Sequence, residues 1–279
     1  MTQRTFCIWI VTPEGYLHSR CFEEIALCLR DAFAVLGHDA PIVTDAADVR
    51  GTAVVLGGHF LPRLPHPRDL VIYNLEQLVG NTERFPGYLD LLRRYPVWDY
   101  SERNVAMLAE TGVKAALCGV GYMPSLTRIA PAPRKDIDVL FIGSVNPRRA
   151  QLLEQLQAQG IALHVVFNLY GAERDALIAR AKIVLNVHFY PAKLFEIVRV
   201  SYLLANSVCV VSETGQDGEV EKAFLGGVAF ASYGGLVPAC LRLLQDEAAR
   251  SRIAAKGFEQ MRSLSQVDML RRALSQTFP

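Results

Sequence analysis

"RAKIVLNVHFYPAKLFEIVRVSYLLANSVCVVSE" (residues 180–213) holds two short apolar runs rich in β-branched residues, "KIVLNV" and "VCVVS". Runs this short and apolar read as buried strands, and the segment between them carries apolar residues at helical spacing. A strand, a crossover helix and a second strand make a parallel βαβ unit. Pro191 suits a first helical position and Asn206 a helix end, so the spacing predicts a helix over 191–205. For a core segment the first half is chemically odd, because His188, Lys193, Glu196 and Arg199 crowd into it.

The same alternation runs through the chain. "TFCIWIV", "APIVT", "TAVVLG", "DLVIYN", "PVWDYS" and "VKAALCG" are strand-like, with helical patterns at 21–37, 84–94 and 102–111. "GYMPSLTRIAPAPRKDID" then interrupts the pattern with prolines and polar residues and reads as a linker. Alternation restarts with "DVLFIG", "PRRAQLLEQLQAQG", "ALHVVFN" and "AERDALIARA", and after the opening stretch "GGVAFAS" precedes a helical tail. The expected organisation is α/β with two Rossmann-like domains, 1–124 and 136–257. A linker over 125–135 joins them, and a helical tail over 258–279 packs back on the first domain.

The 279 residues, half of them hydrophobic, suffice for two such cores. A formal charge of +1 gives no electrostatic case for nucleic acid or an anionic membrane. Six scattered cysteines without C-x-x-C pairing read as reduced thiols. With no secretory leader pattern and no bilayer-length apolar stretch, a soluble cytoplasmic protein is expected.

Open parallel sheets bind ligands at the carboxyl ends of their strands. In the second domain those ends lead into Gly143, Ser144, Arg148 and Arg149, into Asn168 and Tyr170, and into Asn186 and His188. Amides at the start of a 191–205 helix, with Lys193, suit an anion, and arginine forks clamp phosphate oxygens. Glu196 can accept two hydroxyl donors, as a sugar or ribose diol offers. Arg199, three positions beyond Glu196, reads more simply as part of a surface ladder. His188 reads equally as a ligand contact or a structural histidine. "GSVNPRR" lacks P-loop spacing, and no G-x-G-x-x-G follows the first strand, which disfavours a classical dinucleotide enzyme.

The 180–213 segment resembles the donor-binding segment of GT-B glycosyltransferases of the group 1 type. In that family a Glu-x7-Glu pattern precedes a small residue and a Val-Val-Ser-like strand. Glu196 falls on the second glutamate, which in the family holds the donor ribose, while His188 stands where the first would be. The resemblance covers residues 136–257 and implies two parallel sheets facing each other across a cleft. It also implies a nucleotide-diphosphate sugar as donor and no metal or other cofactor. Gly143, Ser144, Arg148 and Arg149 would border the diphosphate and Asn168 and Tyr170 the base, with Asn186, His188 and Lys193 nearby. The acceptor, whether glycan, lipid-linked intermediate, protein or small molecule, would bind the first domain. There His18 or Glu14 is the candidate base, His188 a further catalytic candidate, and His59 and Glu76 acceptor-side candidates. His188 in place of an acid leaves the sugar and the retaining or inverting outcome open. An epimerase or a non-catalytic nucleotide-sugar-binding scaffold are the alternatives.

Overall fold

The computed structural model describes residues 4–61, 69–216 and 218–278. The chain divides into two compact units, one comprising the chain up to Leu126 together with that from Leu264 onward, the other Thr127–Ser263.

In the first unit the strands are β1 (Phe6–Ile10), β2 (Ile42–Val43), β3 (Thr52–Leu56), β4 (Leu70–Asn74), β5 (Val97–Asp99) and β6 (Ala115–Leu117). They form one parallel sheet in the order β2-β1-β3-β4-β5-β6. Every residue of β1, β3 and β4 is buried, as expected for strands covered on both faces. Helices α1 (Glu23–Val35), α2 (Tyr88–Leu92) and α3 (Glu102–Glu110) connect them. α2 is shorter than the helical pattern at 84–94 because Gly87 starts it from φ +77°. Pro86, just ahead, disfavours helical backbone in the residue before it.

In the second unit the strands are β7 (Ile137–Ile142), β8 (Leu163–Val166), β9 (Ala181–Asn186), β10 (Val210–Glu213) and β11 (Ala229–Ala231). Their order is β11-β10-β9-β7-β8, again all parallel. Helices α4 (Pro147–Gln157), α5 (Gly171–Arg180), α6 (Ile197–Ala205), α7 (Gly218–Ala223), α8 (Leu236–Gln245) and α9 (Glu247–Arg262) belong to this unit. α8 buries Leu236, Ala239, Cys240 and Leu243, one stripe at helical spacing, in a core with Phe141, Leu152, Leu185 and Val211. In each sheet the order reverses beside its first strand, between β1 and β3 and between β7 and β9. Such reversals open a crevice at the carboxyl ends of the strands.

The last helix, α10 (Gln266–Thr277), belongs to the first unit. Buried Gln266 accepts from the Gly121 amide at 2.7 Å and donates to the Gly119 carbonyl at 3.3 Å. Trp98 donates to Thr277 at 2.8 Å. Gly121 leaves no room for a side chain, since a Cβ would lie 2.7 Å from the Leu264 carbonyl oxygen. Among the described residues no helix is long and apolar enough to cross a membrane, and the six cysteines are free thiols.

Replacing Gln266 by the similarly sized Leu strands the Gly121 amide in a buried place. The expected cost is about 1–3 kcal/mol, read as a lower urea midpoint with unchanged slope. An unchanged midpoint would show that this helix is not held by that side chain.

Candidate functional site

The carboxyl edge of the second sheet is built around two carboxylates. Asn186, the last residue of β9, donates from Nδ2 to Glu196 Oε2 at 2.8 Å and to the Ser212 hydroxyl at 3.0 Å. Its Oδ1 accepts from Arg199 Nη2 at 2.5 Å, and Arg199 Nη1 reaches the Ile142 carbonyl at 3.2 Å. His188, 1% exposed, brings Nδ1 to 3.1 Å from Glu196 Oε2. Burial opposes the charge on Glu196. The His188 and Asn186 contacts and the nearby Arg199 outweigh it, holding the carboxyl at about 2. Oε2 is therefore occupied, while Oε1 lies 3.9 Å from Arg199 Nη2.

Glu213, the last residue of β10, is also buried. It forms a two-pronged ion pair with Arg148, accepts from the His188 amide at 3.2 Å, and lies 3.4 Å from Lys193 Nζ. Burial again opposes ionisation, and Arg148 overcomes it, so this carboxyl too sits below its ordinary range. The Arg148 guanidinium lies over the Tyr233 ring at 4.0 Å and stays about one-third exposed, as does the Lys193 head. Arg149 is turned inward. It donates to the Val187 carbonyl and, at 2.8 Å, to the Ser144 carbonyl, fixing the loops after β7 and β9. Gly143 adopts φ +148°, and a Cβ there would stand 3.1 Å from Arg199.

The expected helix over 191–205 is corrected: α6 begins only at Ile197, and Glu196 is its cap residue rather than a member of its second turn. Pro191 serves a turn instead, closed by the Lys193 amide on the Tyr190 carbonyl at 3.1 Å, with Lys193 at φ +48°. Beyond the turn the adjacent Leu194 and Phe195 are both buried, at 1% exposure. Thus amides from Pro191 onward do not form a helix N-terminus. The loop after β10 packs closely here, since a Cβ on Gly215 would overlap the Lys193 carbonyl. Asn168, at φ +55°, and half-buried Tyr170 follow the edge strand β8 at the same end of the sheet.

In the first unit the candidates also follow carboxyl ends of strands. Glu14 is exposed and His18 half-buried after β1. His59 and Glu76 follow β3 and β4 and meet, with Nδ1 3.7 Å from Oε1, beyond hydrogen-bond length. Burial raises Glu76 to about 7, while burial and then the charge of His18 lower His59 to about 4. Pro62 and Arg63, which end "GGHFLPR", lie outside the described residues.

Two features escape sequence reading. Glu213 is an acid at the end of a buried strand, a visible signal whose partner 65 residues away is not. The backbone of Glu76 is held by Asn74 and Asn104, which also bind buried Asp99.

No family model matches the chain. Curated proteins similar in sequence are uncharacterized proteins of Acanthamoeba polyphaga mimivirus. Protein L140 is 26% identical over 194 residues, 64% of this chain. Protein L138 is 30% identical over 114 residues, 40% of this chain and 13% of that protein. The chain spans 62% of the length of L140 and 26% of that of a third such protein, L137. Among solved structures, Anabaena HepE in complex with UDP and glucose superposes with TM-score 0.65 at 11% identity over 99% of both chains. AviGT4, a glycosyltransferase of avilamycin A biosynthesis, gives 0.62 at 14% identity, covering 99% of this chain and 97% of its own. WaaG, a glycosyltransferase of lipopolysaccharide biosynthesis, gives 0.58 at 12%, covering 98% and 99%. The chain has the GT-B fold.

Glu76 in the folded chain titrates above its ordinary value, so it favours folding fully below about pH 4.5 and loses that contribution as pH rises through about 7. Glu76→Gln should therefore match the wild type in stability at low pH and exceed it above pH 7, by on the order of 3 kcal/mol. Chemical denaturation at several pH values checks this. A constant difference between the two proteins would contradict it.

Proposed function

We propose that this chain is a glycosyltransferase that takes its sugar from a nucleoside-diphosphate sugar bound at the carboxyl edge of the second unit's sheet. The observation that carries the reading is Glu196, half-buried at the start of α6 and held ionised by His188, Asn186 and Arg199 beside the carboxyl edge of a parallel sheet. A carboxylate so poised accepts hydroxyl donors, and Oε1 is the oxygen left for the ribose. The partly exposed heads of Arg148 and Lys193 offer positive charge to the diphosphate, stabilising it as it departs. Ligand phosphates would compete with Glu213 for both cations, so Glu213 holds them in place until the donor arrives. Arg149 acts indirectly, by fixing the Ser144 and Val187 carbonyls. Asn168 and Tyr170 would border the base.

His188 stands where the resembled family has its first glutamate. Its imidazole lies against Glu196, so it orients that carboxylate and leaves one fewer hydroxyl acceptor for the sugar. That substitution leaves the sugar and the stereochemical course to be set by assay. The reading calls for no cofactor beyond the nucleotide sugar.

HepE structures contain UDP or UDP-glucose, which makes UDP the first probe. Calorimetric titration of the whole chain with UDP, and with GDP and ADP alongside, should identify one nucleotide that binds. Glu196→Gln should weaken it about 10-fold, the loss of one hydrogen bond to a charged acceptor. If none binds at millimolar concentration, or if the variant binds equally well, the reading fails.

A further inference from the structure

The amino edge of the second unit's sheet, opposite the edge that carries Glu196 and Glu213, holds a cavity of about 270 Å³. It lies where β7, β9 and β10 begin and α9 opens. Pockets for drug-sized ligands start at roughly 300 Å³, so this one suits a smaller molecule. Three cations from three elements line it. Lys135 comes two residues ahead of β7, Lys182 is the second residue of β9, and Arg250 stands in the first turn of α9.

Only one of the three has a carboxylate in ion-pair contact among the described residues. Lys182 Nζ lies 2.6 Å from Asp138 Oδ1, and Asp138 Oδ2 accepts from the Ala162 amide at 2.8 Å. Arg250 Nη1 donates to the Leu243 and Leu244 carbonyls at the end of α8, at 2.6 and 2.9 Å. Neutral carbonyls fix a guanidinium without cancelling its charge. Glu247, the acid of the lining, is exposed. Three cations against two acids leave an excess of positive charge.

The surroundings sharpen that excess. Partial desolvation, ahead of any other cause, lowers the Lys135 ammonium from its ordinary value, and the Arg250 charge lowers it further against Cys209 and Glu247. Like charges drawn together with too little water are stabilised by a shared anion. The Cys209 thiol in the wall is pushed up to about 11 by burial, so it stays neutral and brings no competing charge. Ser207 and Ser251 also line the cavity, and each carries a hydroxyl donor.

We propose that this cavity is a second anion site, which takes the phosphate group of a small ligand on Lys135 and Arg250 with Lys182 beside them. Inorganic phosphate and a small phosphate monoester present the same oxygens to that set. Ammonium and guanidinium donors make charge-assisted hydrogen bonds to phosphate, and the serine hydroxyls supplement them. The site is separate from the edge that carries Arg148 and Lys193. β9 runs from Lys182 beside this cavity to Asn186 at the far edge, about 13 Å along the strand. The inference therefore stands whether or not the donor reading does.

Amide shifts of the 15N-labelled whole chain, followed as sodium phosphate replaces chloride at constant ionic strength, test it. The shifts should cluster at residues 135, 182, 207 and 250–251 and saturate at millimolar phosphate. Lys135→Gln should weaken binding about 10-fold, the loss of one hydrogen bond from a charged donor, and Lys135→Arg should restore it to within about threefold. Glycerol 3-phosphate in a parallel titration separates the two sources. Tighter binding than inorganic phosphate assigns the site to an ester, and equal or weaker binding assigns it to the free ion. The proposal is overturned by shifts confined to residues 143–149 and 188–193, by no saturable response, or by a Lys135→Gln variant that binds phosphate unchanged. UDP affinity should agree between Lys135→Gln and the wild type within about twofold. Loss of UDP and phosphate affinity together in that variant would merge the two sites and overturn the proposal as well.

Discussion

Asn186 ties three elements of the second unit together through one side chain, touching Glu196 before α6, Arg199 within it and Ser212 on β10. The rest of the edge depends on this node. It sets where Glu196 points, and Glu196 in turn anchors His188, whose amide engages Glu213. Glu213 then draws in Arg148 and Lys193. A buried carboxylate left without such partners would protonate or pull away. Here the partners outweigh desolvation, and the charge is present before any ligand arrives. Arrangements fixed in advance of the chemistry save the reorganisation that water would otherwise need.

The two sheets share one topology and use their carboxyl edges in opposite electrostatic ways. In the second unit, cations lower carboxyl pKa values, which suits binding hydroxyls and phosphates. In the first unit burial acts almost alone, and Glu76 and Asp99 both rise to about 7. Asp99 accepts from the Asn74 and Asn104 side chains and from the Ser101 amide, and it is fully buried. Glu76 differs in being open to solvent on one side.

Much of the fold was legible because parallel strands covered on both faces leave continuous apolar runs, as "TFCIWIV", "TAVVLG" and "DVLFIG" do. The two-sheet arrangement followed, and so did the place of His188 just after a strand. What failed was local. Pro191 is as compatible with a turn as with a helix start, and the chain makes it a turn, closed by the Lys193 amide with Lys193 itself at φ +48°. Arg148 and Arg149 look interchangeable in sequence, yet one faces Glu213 and the other fills a backbone gap. Such differences are set by residues distant in the chain, which no single-sequence pattern carries.

The central claim is that Glu196 holds the ribose of a nucleoside diphosphate at the end of β9. Crystals of the chain soaked with UDP test it directly. The account predicts density for the ribose within hydrogen-bond reach of Glu196 Oε1 and for phosphate beside Arg148 and Lys193. Nucleotide density elsewhere, with the Glu196 and Glu213 contacts undisturbed, would contradict it.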